Sequence, residues 1–338
     1  MHRFVLMILT LGLLFPWFPS ATALAAAQGT PEACAPTTPD ENEQVVRDWY
    51  AAIDARDIDA FDDVMAPVIV QHAADFADAK GLDEVKANFG PFLAAFADFH
   101  HEIEDAVAAD DLVAVRVQGR GTNVADFMGI PATGEEVTWT SLAFYRIECG
   151  KIAEHWSEVD AVGRLQNLGA IPELIPAAEV DAAADSTTAS PAADCAPTTP
   201  EENAALVSQW LEAVNAEGSD AVGAAVHGAI ARATGASTTS DLVAAVNEGF
   251  PDLQVTEDMV FAEGDRVAVR WTGTGTHTGT IQDIPASGNP VSFTANSIFR
   301  VSCGEIAEVW IEADLLAVLR EIGALTWPPA PAATPQAE

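Results

Sequence analysis

The chain has 338 residues, room for about two domains of ordinary size. It carries 51 Asp and Glu against 15 Lys and Arg, a formal charge of −36. Such acidity repels phosphate backbones and anionic lipid headgroups, which excludes nucleic acid and membrane surfaces as partners; spread along both halves, it is that of a solvated surface.

The chain opens Met1-His2-Arg3, then runs apolar from Phe4 to Phe18 and reaches small residues at Ala23 to Ala27. This is the order of a secretory signal, expected over residues 1–27. The apolar run is shorter than the ~20 residues that a bilayer span needs, so cleavage is expected, leaving a secreted or extracytoplasmic protein with no membrane anchor. Cys34 lies too far from the run to serve as a lipoprotein cysteine.

Cys34-Ala-Pro-Thr-Thr-Pro-Asp-Glu-Asn42 recurs as Cys195-Ala-Pro-Thr-Thr-Pro-Glu-Glu-Asn203. Trp49 then matches Trp210, Asp59 matches Asp220, Val113–Arg116 matches Val267–Arg270 and Cys149–Ile152 matches Cys303–Ile306. The chain is a tandem duplication. Its expected parts are a first domain over 34–171, a linker over 172–194, a second domain over 195–326 and a disordered Pro/Ala tail over 327–338.

Each domain begins with a capping box, Thr38-Pro-Asp-Glu41 and Thr199-Pro-Glu-Glu202, with Pro at the first helical position. In the first helix Val45, Val46, Trp49, Ala52 and Ile53 share one face. A short helix around Asp59 to Met65, a strand from Val68 to His72 and a helix from Leu82 to Phe96 follow. Strands are then expected near His100–Ala108, Leu112–Thr122, Val137–Glu148 and Ile152–Val159, with a helix through Leu165. Val113, Val115 and Val117 alternate with Arg116, Gln118 and Arg120, as in a sheet with one packed face. Helices followed by antiparallel strands make an α+β fold.

Four cysteines in an exported chain, two per copy, imply two disulfides. Of three connectivities, Cys34–Cys149 with Cys195–Cys303 respects the duplication, each closing a loop of about 110 residues. A zinc site is the rival, without C-x-x-C or clustered histidines to support it.

Phe127-Met-Gly-Ile-Pro-Ala-Thr-Gly134, Gly150-Lys-Ile-Ala-Glu-His-Trp156, Asp160 and Gln166-Asn-Leu-Gly169 resemble the C-terminal half of SnoaL-like polyketide cyclases. Phe250-Pro-Asp-Leu253, Gly264-Asp-Arg-Val267 and Gly275-Thr-His-Thr-Gly279 supply further pieces of that pattern in the second copy. The resemblance implies the cone-shaped fold of the nuclear transport factor 2-like superfamily, in which helices close over a curved antiparallel sheet and leave a pocket. It also implies, for members that are enzymes, an aldol ring closure by an Asp general acid/base without a cofactor. That aspartate falls on Asp160, with Asp314 as its second-domain equivalent.

Asp160 equally suits the N-cap of the helix that follows it. His155 lies on the interior face of its strand, where Val309 stands in the second copy, either as a core residue or as a proton carrier. His72, matched to Ala233, is the third candidate. Having kept both histidines, the first copy is the better candidate for a site. His72, His155 and Asp160 lack the spacing of a metal set. His100 and His101 point to opposite faces, so at most one lines a pocket, and His277 stands opposite Asn123. Trp156 and Trp310, on the other strand face, suit either core or an interface joining the copies sheet to sheet as an intramolecular pseudo-dimer. The expected function is binding of a small apolar carbonyl compound, with cyclase, isomerase or hydrolase chemistry at Asp160 assisted by His155 and His72; a non-catalytic exported binding or interaction module is the alternative, favoured by the export signal.

Overall fold

A computed structural model describes residues 34–73, 77–172, 195–215, 225–228, 231, 234, 236–281 and 284–326. The expected signal peptide, the linker beyond Pro172, the tail from Trp327, and Asp220 and Ala233 lie outside them. The described residues from Pro36 onward belong to one compact unit, and Cys34 and Ala35 to another.

The first domain runs α1 (Pro39–Asp54), α2 (Phe61–Val64), β1 (Met65–Ala73), β2 (Ala79–Lys80), α3 (Leu82–Ala95), β3 (Phe96–Ala109), β4 (Leu112–Asn123), β5 (Glu136–Glu148), β6 (Lys151–Val159) and α4 (Ala161–Asn167). The second runs α5 (Pro200–Asn215), β7 (Ala225–His227), α6 (Thr239–Gly249), β8 (Gln254–Glu263), β9 (Arg266–Thr276), β10 (Pro290–Ser302), β11 (Glu305–Ala313) and α7 (Leu315–Glu321). The sheets have the orders β2-β1-β6-β5-β4-β3 and β7-β11-β10-β9-β8. All pairings are antiparallel except β1 with β6 and β7 with β11. The fold is α+β in two tandem domains, with the long helices covering one face of each sheet.

The repeated opening motif does three jobs. Thr38 and Glu41 cap each other, the Glu41 N–H donating to Thr38 at 3.3 Å and the Thr38 N–H to Glu41 at 2.8 Å; Thr199 and Glu202 do the same. Asn42 and Asn203, both buried, donate at 2.9 Å to the carbonyls of Asp110 and Gly264 and so fix α1 and α5 to the following hairpin turns. In the second domain a disulfide locks the same end. Cys195 is joined to Cys303, and Cys34 and Cys149 are disulfide-bonded too, with no cysteine free. Cys149-Gly150 and Cys303-Gly304 are two-residue hairpin turns with positive φ at both positions, 56° and 71° in one and 57° and 73° in the other. A hairpin of that hand favours Gly at the second position, hence the repeated Cys-Gly.

Strand register corrects one expected equivalence. Gln71 pairs with His155 and His72 with Trp156, while Val226 pairs with Val309 and His227 with Trp310. The counterpart of His72 is therefore His227, not Ala233. The shortening of the second copy falls mainly before this strand, since His72 follows Asp54 by 18 residues (72 − 54) and His227 follows Asn215 by 12 (227 − 215).

The outer sheet faces carry a second apolar cluster, with Leu142, Phe144 and Trp156 from one sheet and Phe261, Ile298 and Trp310 from the other. Around it the Thr294 hydroxyl donates to Glu158 at 2.5 Å and the Thr140 hydroxyl to Glu312 at 2.7 Å. Thr140 and Thr294 are equivalent, as are Glu158 and Glu312, so the bonds are reciprocal, as at a two-fold interface.

Candidate functional site

In the first domain the inner face of the sheet and α1 line a half-open cavity of about 60 Å³. That is room for about two waters. Its wall is polar. Tyr50 reaches in from α1, and its hydroxyl accepts a hydrogen bond from that of Tyr145 at 3.0 Å. Ser141 also bonds Tyr50, and Trp49, whose indole N–H can only donate, bonds Tyr145. Burial pushes Tyr50 up to about 12, against the smaller downward pull of its hydrogen bonds, so it stays a neutral donor. Burial raises Tyr145 as well.

His101 completes this wall. Its ring lies 5.4 Å from Tyr50, and its Nδ1 is 2.6 Å from an Asp54 carboxylate oxygen. The other oxygen accepts from the His101 backbone N–H at 3.0 Å. Arg164 of α4 lines the cavity too, with its guanidinium among the rings of Phe127, Phe92 and Trp139.

The three residues singled out from sequence are placed differently. His155 lines the cavity, stacked on Tyr145 at 4.6 Å and 3.5 Å from Gln71. Burial, with a lesser contribution from His72, lowers its pKa to about 3 and keeps the imidazole neutral. His72 is on the opposite sheet face, stacked on Trp156 and 3.2 Å from Glu154. Asp160 is buried at the N-cap of α4, where Oδ1 accepts from the Gly163 N–H at 2.8 Å, and it is not among the lining residues. A Cβ added at Gly163 would come within 2.2 Å of Asp160 Oδ2, so the carboxylate would have to turn aside to admit one. Asp314 caps α7 in the same way, accepting from the Ala317 N–H at 2.9 Å. His277 follows β9 and holds the next loop, with Nδ1 3.1 Å from the Ser287 hydroxyl, as Asn123 holds Thr133 in the first domain.

The second domain has the same frame around a different interior. Register and helix position match Tyr50 to Leu211, His101 to Val255, Ser141 to Ala295 and Tyr145 to Phe299. Gln71, His155 and Arg164 likewise become Val226, Val309 and Val318. Phe92, whose carbonyl accepts from the C-cap N–H of α3, becomes Val246 at the same place in α6. The result is an apolar cavity of about 130 Å³. An engineered apolar cavity of about 150 Å³ holds benzene, so this one has room for roughly one ring. Among the described residues that line it, none is titratable. The histidines pointed to the first domain, but they track polarity, and the roomier interior is in the second.

Tyr50 and Asp54 were missed, and His101 was seen only as one of a pair of which at most one lines a pocket, because no local motif joins residues 47 positions apart. The available signal was the contrast between copies at several inward positions, such as Tyr50 against Leu211 and His101 against Val255, polar in one and apolar in the other.

Among solved structures the chain resembles AclR of Streptomyces galilaeus at 29% identity and a TM-score of 0.37, over 40% of this chain and 100% of that one. It also resembles TsrD of Streptomyces laurentii, at 24% identity, TM-score 0.37, 40% of this chain and 99% of that one. A third is IdmH of Streptomyces antibioticus, at 31%, TM-score 0.34, 38% and 98%. No curated protein matches. The model of the SnoaL-like polyketide cyclase family matches residues 43–168 and again residues 203–322. Matched once in each domain and over more than half of its length, the chain belongs to the SnoaL-like polyketide cyclase family.

Proposed function

We propose that the chain is an exported protein, with domains over 34–171 and 195–326, that binds a small, mostly apolar compound in the interior of its second domain. The observation that carries this is the apolar cavity of about 130 Å³ beneath Trp210, Phe299 and α6. Export is supported by the signal pattern before Gln28 and by cysteines that are all oxidised. Among the described residues no helix is long and apolar enough to cross a membrane. The reciprocal Thr–Glu bonds and the shared cluster of Trp156 and Trp310 support an intramolecular pseudo-dimer.

The test is a titration of the full chain with ethylbenzene followed by heteronuclear NMR. Saturable shifts in the second domain are expected, and Val246→Phe, which restores the bulk of Phe92, should abolish them while the protein stays folded. Binding unaffected by Val246→Phe would overturn the assignment.

A catalytic reading attaches to the first domain, favoured by the neutral Tyr50 hydroxyl beside an Asp54-oriented His101. Tyr50 would polarise a carbonyl and His101 would take the neighbouring C–H proton. Asp160, the aspartate implied by family resemblance, would then act by holding the end of α4 in place. Exchange of ketone α-protons in D2O, lost in His101→Asn, is the measurement for it.

A further inference from the structure

Trp210 stands where Trp49 stands, but its surroundings have changed. The Trp49 N–H has the Tyr145 hydroxyl as its acceptor. In the second domain that position is Phe299, whose ring lies edge-on to Trp210 with centroids 5.6 Å apart and offers no oxygen. Leu211 takes the place of Tyr50, so the second hydroxyl is gone as well. Among the described residues, Trp210 Nε1 is buried and has no hydrogen-bond partner. Trp210, Leu211 and Phe299 all line the apolar cavity, so the orphan donor borders the space vacated by the two hydroxyls.

Resting on the cavity reading above, we infer that the compound bound in the second domain carries one hydrogen-bond acceptor, of the ketone, aldehyde or ester class, and that Trp210 is the residue that selects it. Water is a poor substitute, since a buried water needs two to four polar partners. The Ser297 hydroxyl, also on the cavity wall, already accepts from Trp271 Nε1 at 2.9 Å. A carbonyl oxygen on an otherwise apolar ligand supplies the missing acceptor and leaves the rest of the ligand against Val246, Phe293 and Val318.

The experiment compares acetophenone with ethylbenzene, a pair of nearly equal shape that differs in the carbonyl. Both are titrated into the full chain and into Trp210→Phe. Acetophenone should move the Trp210 indole N–H resonance downfield and ethylbenzene should not. The ratio of the two affinities should fall about tenfold in Trp210→Phe, the size of one lost hydrogen bond to a buried partner. Phe299→Tyr, which places an acceptor inside the protein, should erase the same preference with Trp210 intact. If ethylbenzene binds and the ratio is unchanged by either variant, Trp210 selects nothing, although the cavity reading stands. If neither compound binds, the cavity reading falls and this inference with it.

Discussion

Asp54 holds His101 twice, with one carboxylate oxygen 2.6 Å from the imidazole Nδ1 and the other accepting from the backbone N–H of the same residue at 3.0 Å. The second domain keeps only the backbone half of this clasp: Asn215 Oδ1 accepts from the Val255 N–H at 2.7 Å, and Asn215 Nδ2 donates to the Val255 carbonyl at 2.8 Å. A bond that survives loss of the histidine is structural. The other bond serves the imidazole. Asp54→Asn should therefore cost less than about 1 kcal/mol, and Asp54→Ala, which orphans the N–H, about 1–3 kcal/mol. Urea unfolding measures both; equal losses would mean that the charge on Asp54, not the clasp, is what stabilises.

The Tyr145 hydroxyl connects Trp49 to Tyr50, so Tyr145→Phe strips an acceptor from a buried indole and a donor from a buried phenol. A destabilisation of about 1–3 kcal/mol is expected. Adding Trp49→Phe should cost less than it does in the parent chain, because its partner is already gone. A double-mutant cycle gives the coupling directly, and additive losses would show that Trp49 and Tyr145 do not interact.

Much of the fold was legible because it is local. The capping boxes, the Cys-Gly turns and the alternation through Val113 to Val117 are each set within a few residues, and the duplication checks each one twice. β3 was expected near His100 and starts at Phe96, since α3 ends at Ala95 and the chain extends at once. The face of His72 was harder. It depends on the parallel register of β1 against β6, a pairing between distant segments that alternation within β1 alone does not reveal. Asp160 was ambiguous for a physical reason: a carboxylate followed by a glycine three residues on suits a helix cap and an acid/base equally, and only the placement of its oxygens tells them apart. Cavity volume was not legible, since it depends on how side chains from several elements fill one space.

Glu158 gives the stability a pH dependence. It is buried at the joint between the sheets, near Thr294, with Arg270 3.4 Å away. Burial pushes its carboxyl up to about 8, the bonds from Thr294 and Arg270 pull it down, and Asp314 adds to the rise. The folded chain therefore keeps a proton that the unfolded chain releases near its ordinary value. This contribution is complete below about pH 4.5 and is lost as pH rises through 8. Glu158→Gln, which is neutral throughout, should match the parent near pH 5 and gain on it by about 2–3 kcal/mol between pH 6 and 9. Thermal melts of both across that range are the check; parallel curves would show that Glu158 is ionised at all of these pH values.

Asp160 can be assigned by separating its shape from its charge. Asn caps a helix about as well as Asp, whereas Ala loses the bond to the Gly163 N–H and costs about 0.5–2 kcal/mol. A residue that only caps should therefore tolerate Asn and not Ala. A residue that transfers protons should lose turnover by about a hundredfold or more in both, because an amide neither takes nor gives a proton at neutral pH. With Asp160 tied to α4 and outside the cavity wall, the expected result is the first: Asp160→Asn near parental stability, Asp160→Ala destabilised, and any α-proton exchange by the first domain unchanged in Asp160→Asn. The same pair at Asp314 should behave alike, since Asp314 makes the same bond to the Ala317 N–H. Loss of exchange in Asp160→Asn at unchanged stability would return the acid/base role to this aspartate and take it from His101.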